Sequence, residues 1–239
     1  MKKFLLILAA VMTLGITLFA QTRTGSRAAK AYDLQGFNAI EVSGDFKVNV
    51  NQGPYNVMLD VPEELESYLK VFVKDGELKI YYNNPPMKIK RLLEREDYIS
   101  IAKISLPDVE EIEVSGASRL VAKGLRAANL SIDCSGASRF DLDGEFGRLG
   151  IDCSGASKGV VIGKAKIAEL DASGASSIDA LELVARKAVM DASGASKSTV
   201  NAVDRLEIDC SGASSARYKV EENTIVRVES SGASSIKRL

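Results

Sequence analysis

The tetrapeptide Ser-Gly-Ala-Ser occurs seven times, beginning at Ser115, Ser135, Ser154, Ser173, Ser193, Ser211 and Ser231, at successive spacings of 20, 19, 19, 20, 18 and 20 residues. A period this steady restricts the chain to architectures in which equivalent units stack, each burying its apolar face on the next. With the first serine of each unit as position 0, positions −3 and −1 are apolar or small, as in Ile112 and Val114, Ile132 and Cys134, Ile151 and Cys153. Position −2, between them, is always acidic: Glu113, Asp133, Asp152, Asp171, Asp191, Asp209 and Glu229. Alternation with a period of two is the signature of strand, not helix. The Leu-x-x-Leu-x-Leu frame of leucine-rich repeats, which have a similar length, is absent.

At roughly 3.3 Å per residue, one unit supplies about 60 Å of chain, enough to wind once around a narrow core. The expected fold is all-β: a right-handed parallel β-helix with about seven regular coils of 18–20 residues, its hand set by the chirality of parallel crossovers. The repeated pairs Ser115–Gly116, Ser135–Gly136, Ser154–Gly155, Ser173–Gly174, Ser193–Gly194, Ser211–Gly212 and Ser231–Gly232 read as the corner of each coil. Parity places the glycine inward, where a missing side chain leaves room for a turn. The second serine of each motif also points inward, its hydroxyl free to bond a neighbouring coil, while the first serine and the alanine form a flat outer strip. All three cysteines, Cys134, Cys153 and Cys210, share position −1. Cys134 and Cys153 fall in adjacent coils, within bridging range, but the same position takes Val, Ala and Ser elsewhere, so small buried filler is favoured over a disulfide.

Repeated Ser-Gly-Ala-Ser preceded by an apolar–Asp–small triplet resembles the family described as "putative autotransporter adhesin, head GIN domain", common in secreted proteins of Bacteroidetes. The resemblance covers roughly Phe37 to Leu239. It implies a right-handed β-helix, an exported protein and a role in adhesion.

The chain opens Met1-Lys2-Lys3 and continues with an apolar run from Phe4 to Ala20. A charged start, a short apolar stretch and a small residue at its end read as a secretory signal peptide over 1–20. The run is shorter than a confident membrane span of about 20 residues, and no later stretch is long and apolar enough to cross. Residues 21–32 read as a flexible leader, and 33–239 as one β-helix domain with an elaborated part over 33–110 and regular coils over 111–239. The expected location is the periplasm, the outer-membrane surface or the extracellular space. A formal net charge of −1 gives no basis for nucleic-acid binding. Histidine is absent, which excludes His-based triads and His metal ligands. Tryptophan is absent too, which weakens a carbohydrate-processing reading.

Ser43-Gly44-Asp45-Phe46 fits the repeat frame, with Ile40 and Val42 at −3 and −1, and reads as a degenerate first coil. The period then breaks until Ser115. Within the break, Pro62-Glu63-Glu64-Leu65 predicts a short helix, and Asp75-Gly76 between two alternating runs predicts a β-hairpin with a type I′ turn. Asn83 to Asp97 is an arm in which Lys88, Lys90, Arg91 and Arg95 surround Ile89, Leu92 and Leu93. It reads either as a solvated cap over one end of the helix or as a binding arm for an acidic partner. The opposite end stops soon after the last motif and exposes a coil edge. Self-association through that edge or through the flat Ser/Ala strip is a further expectation.

The acids at −2 form a row of like charges about 4.8 Å apart, close to the carboxylate separation of a retaining glycosidase. That chemistry also needs a cleft and one raised pKa, and a smooth coil face offers neither. The row could alternatively ligate calcium, although the Gly-rich nonapeptide calcium repeat is missing. The residues point to a non-catalytic exported scaffold that binds an envelope or host-surface component, protein or glycan, without cofactor or metal. A polysaccharide-active enzyme and a calcium-binding structural helix are the alternatives.

Overall fold

The computed structural model describes residues 26–93 and 98–239. The expected signal peptide, residues 21–25 of the leader, and Arg95 of the arm lie outside the described residues. The elements are β1 (Arg27–Tyr32), β2 (Ala39–Gly44), β3 (Phe46–Gln52), β4 (Asn56–Pro62), α1 (Glu63–Glu66), β5 (Leu69–Lys74), β6 (Glu77–Tyr82), α2 (Met87–Leu93), β7 (Ser100–Leu106) and β8 (Glu111–Gly116). Five long strands follow: β9 (Arg119–Cys134), β10 (Arg139–Cys153), β11 (Lys158–Ala172), β12 (Ser177–Ala192) and β13 (Lys197–Cys210). The chain closes with β14 (Ser215–Val220), β15 (Ile225–Ser230) and β16 (Ser235–Arg238).

All sixteen strands belong to one sheet wound into a β-solenoid of about six turns. Six is the number of intervals between seven motifs, since each turn runs from one Ser-Gly-Ala-Ser to the next. Pairing through the coils is parallel and in frame: Ile132 stands beside Ile151, Ile151 beside Leu170, Leu170 beside Met190, and Met190 beside Ile208. These residues form one inward column, each at most 3% exposed. The columns also compensate for size. Phe140 is paired with Gly159 in the next coil, and a Cβ added to Gly159 would lie 2.2 Å from the Phe140 ring. The glycine is the space into which the ring leans.

The motif turns the chain through a backbone device. Every corner glycine has a positive φ, +68° at Gly155 for example, in the left-handed region that side chains resist. These glycines are exposed, which corrects the inward placement expected from parity: strand alternation does not carry through a turn. A Cβ on Gly155 would meet the Gly136 carbonyl oxygen of the preceding coil at 2.8 Å, so stacked corners are packed backbone on backbone. The second serine is buried in the first six motifs and half-buried in the last, at Ser234. Ser138, Ser176, Ser214 and Ser234 donate their hydroxyls to the carbonyls of Val114, Cys153, Ala192 and Cys210 in the preceding coil, at 2.9–3.1 Å. The three cysteines are buried and free, with Cys134 and Cys153 side by side.

The region before Ser115 builds a cap. Helix α1 follows Pro62 and carries Glu63 and Glu64 in its first turn. Strands β5 and β6 form the hairpin, antiparallel, with positive φ at both Asp75 and Gly76 as a type I′ turn requires. The flexible leader expected over 21–32 is corrected in its latter part. Residues 27–32 are β1, paired antiparallel with β4 along its whole length. Arg27 fastens it, donating to Asp60 Oδ1 at 2.7 Å and to the Ile99 carbonyl at 3.1 Å. The polar composition that suggested a free leader belongs to a strand at the sheet margin, where half-exposed side chains are expected.

Candidate binding surfaces

Two strands of the cap continue the solenoid by one further rung. β6 runs parallel to β2, with Tyr81 beside Ser43, and β7 runs parallel to β3, with Ser100 beside Phe46. In the inner coils only Gly and Ala separate these two positions. In the outermost rung residues 83–99 are inserted there, so the chain leaves the solenoid after Tyr82 and rejoins it at Ser100 along the edge that carries the corners. Ser100 stands where each motif has its buried second serine. It is fully buried, and its hydroxyl lies 2.5 Å from that of Tyr82. The Tyr82 ring stacks on Phe46 at 5.1 Å, and burial pushes its hydroxyl pKa up to about 12. The arm therefore rises from a rigid, packed base.

Of the arm's cations, Lys88, Lys90 and Arg91 are brought together on α2, a helix of seven residues in which Lys88 and Arg91 are exposed. Asn84, at the arm's entrance, has φ +44°, and Pro85 is buried. These two fix the direction in which the arm departs.

The acidic row is continuous and longer than the seven motif-linked residues. Glu41, Glu113, Asp133, Asp152, Asp171, Asp191, Asp209 and Glu229 are paired coil by coil. Partial burial and the neighbouring carboxylates raise the pKa values of Glu113, Asp133, Asp171 and Asp191. Both ends of the row carry a cation. Lys79, beside Glu41 on β6, bonds both Glu41 and Glu77, the latter at 2.6 Å. At the other end Arg227 pairs with Glu229 at 2.5 Å. Glu41, Glu77 and Glu113 bring carboxylate oxygens within 4.8 Å of one another, an oxygen set suited to a hard cation. The Lys79 ammonium already supplies positive charge to two of the three. Neither Glu41 nor Lys79 was singled out from the sequence. The signal was there, because Ile40-Glu41-Val42 and Leu78-Lys79-Ile80 both repeat the −3, −2, −1 alternation.

The pockets along these faces are shallow grooves between rungs. One of about 350 Å³ is bordered by Arg119, Val121, Lys123, Asp141, Val160 and Ile162. Val160 and Ile162 are 41% and 42% exposed, an aliphatic patch ringed by charge. Another groove lies over the acidic row, between Val189, Asp191, Asp209 and Arg227. Among the described residues no helix is long and apolar enough to cross a membrane.

The fold has clear counterparts. It superimposes on the crystal structure of a putative adhesin from Bacteroides fragilis with a TM-score of 0.81 at 21% identity, covering 91% of this chain and 99% of that one. A putative adhesin from Parabacteroides distasonis gives 0.69 at 20% identity, covering 91% and 98%. A putative lipid binding protein from the same species gives 0.67 at 18% identity, covering 90% and 98%. At these identities the likeness is one of fold. No curated protein matches the chain. Residues 36–221 match the family described as "Putative auto-transporter adhesin, head GIN domain", and the chain belongs to that family.

Proposed function

We propose that this chain is an exported, non-catalytic binding scaffold that attaches to an envelope or host-surface component, with the arm from Asn83 to Asp97 as its principal contact. Family membership and the adhesin-type structural neighbours support an adhesion-like role. The observation that carries the reading is the arm's point of insertion. It interrupts a corner of the outermost rung, between Tyr82 and Ser100, where a long excursion leaves the parallel ladders on either side intact. Loops held on a rigid scaffold are where recognition residues concentrate, and Lys88, Lys90, Arg91 and Arg95 make this one basic, suited to an anionic protein or glycan. Residues 1–20 are the export signal in this reading, and the mature chain begins at Gln21 in the periplasm, on the outer-membrane surface or outside the cell. No cofactor or metal is assigned.

The decisive experiment deletes residues 84–97 and joins the flanking strands with a short Gly-Ser turn. The expected result is an unchanged melting temperature with loss of retention on immobilised envelope or host-surface fractions. Retention equal to that of the parent would remove the arm from the interface. Turnover of a polysaccharide by the parent chain, lost in Asp152→Asn or Asp171→Asn, would replace the scaffold reading with the glycosidase one.

A further inference from the structure

Strands β15 and β16 close the last coil. Among the described residues, β15 is bonded only to β13, and β16 only to β14. The inward side chains of β15 continue the core columns, Val226 beside Leu206 and Val228 beside Ile208. Leu206 and Ile208 are buried, whereas Val226 and Val228 are 37% and 46% exposed. The free edge is equally well defined. Alternate residues of a strand direct both backbone groups to opposite neighbours. The Ser231 N–H donates to the Cys210 carbonyl of β13, so Arg227 and Glu229 face β13, and Val226, Val228 and Ser230 offer their N–H and C=O groups outward.

From this edge we infer that β15 pairs with β15 of a second copy of the chain, antiparallel, about a two-fold axis at Val228. The sequence Val226-Arg227-Val228-Glu229-Ser230 is self-complementary in this one register. Val228 faces its own copy and Val226 faces Ser230, so the residues brought opposite are those with free backbone groups, and each pair exchanges both bonds. On the inner face the exposed valines cover one another. On the outer face Arg227 of each copy stands opposite Glu229 of the other, extending the ion pair already formed within one chain at 2.5 Å. Moving the register by two residues in either direction sets Arg227 against Arg227 or Glu229 against Glu229, and like charges directly opposite destabilise a pair. A closed isologous contact of this kind consumes the open β15 edge of each copy, so this contact joins two copies and no more.

The test is the solution mass of the chain, processed as its producing cell processes it, by sedimentation equilibrium over a wide concentration range. The expected result is reversible doubling of the mass. Arg227→Glu should weaken association at least tenfold, and Arg227→Glu combined with Glu229→Arg should restore it. Val228→Pro removes an N–H that no internal ladder uses, a substitution edge strands tolerate, and should give a monomer. Should Val228→Pro fail to fold, the charge reversal and its rescue decide alone, since both side chains are exposed. A single-copy mass at every concentration would overturn the inference and leave the edge to a different partner. Association unaffected by Arg227→Glu, or not rescued by the swap, would overturn it as well.

Discussion

The two ends of the solenoid solve the same problem in different ways. At the amino-terminal end the free edges of β2 and β3 are covered by β6 and β7, which are in turn flanked by β5 and by β4 and β1. The residues of this cap are core residues: Val57, Leu59, Val61, Leu78, Ile80, Ile104 and Leu106 are each at most 2% exposed. At the other end the terminal coil is built to the same frame yet leaves Val226 and Val228 partly in solvent. Identical pattern positions therefore carry different energetic weight according to whether a further rung follows. In a stacked architecture, burial depends on the neighbouring coils and not on the unit itself.

The largest effect separating the ends should come from truncation. Ile80→Ala in the cap should cost about 2–5 kcal/mol, as deletions from a closed core do. Val226→Ala, measured by thermal melting at low protein concentration, should stay within about 0.5 kcal/mol. Equal losses at the two positions would mean that the last coil is as tightly held as the cap.

Corners come next. Gly155→Val forces a branched side chain to a φ of +68° and against the Gly136 carbonyl, at a cost of at least about 1–3 kcal/mol. Gly232 has nearly the same angle, +71°, but lies in the final coil, where only the preceding coil must adjust. Gly232→Val should lower the melting temperature less. The reverse order would place the strain of these corners within each turn and not in their stacking.

A smaller effect is expected where the acidic row meets the cap. Lys79→Met leaves Glu41 and Glu77, beside Glu113, without their shared ammonium and should cost about 0.5–1 kcal/mol. The parent should melt at the same temperature with calcium or with a chelator, because Lys79 neutralises this end of the row. A large calcium-dependent rise in the parent would show a cation in its place, since a ligand of the folded state alone stabilises by mass action.

The smallest effect is that of pH. Glu113, Asp133, Asp171 and Asp191 have folded pKa values above their ordinary 4.5 and 3.8, so the folded chain takes up protons before the unfolded chain does. Stability contributed by these groups should rise as pH falls from neutrality through the raised values and level off below the ordinary ones. Asp171→Asn should reproduce part of the gain at neutral pH, about 0.2–1 kcal/mol for relieving like charges across a ladder. A melting temperature that falls steadily from pH 7 to pH 5 would mean that groups outside the row outweigh it.

How much was legible in the sequence differs between the same two parts of the molecule. In the regular coils the inward columns, the outward acids and the buried second serine follow from a period of two, because a strand's geometry is local. Gly44 and Val42 could be placed in a first coil for the same reason. The corner glycine was misplaced because alternation fails at a turn, where φ and the approach of the next backbone set direction. Strand β1 was missed because an edge strand paired on one side needs little apolar sequence. Its partner, β4, lies some thirty residues along the chain, and the Arg27–Asp60 contact that fastens it has no signature in either segment.

The sequence by itself determined that this protein is a stack of parallel coils and which face of each rung would be acidic, since both are written in a repeat that every coil reads in the same way. Only the tertiary structure decided that the irregular segment before Ser115 folds back as an additional rung, that its arm leaves from a corner, and that this segment covers its end of the stack. Those outcomes depend on which strands meet across long separations, and pairing of that kind is selected by the packing of the whole core, which no local pattern encodes.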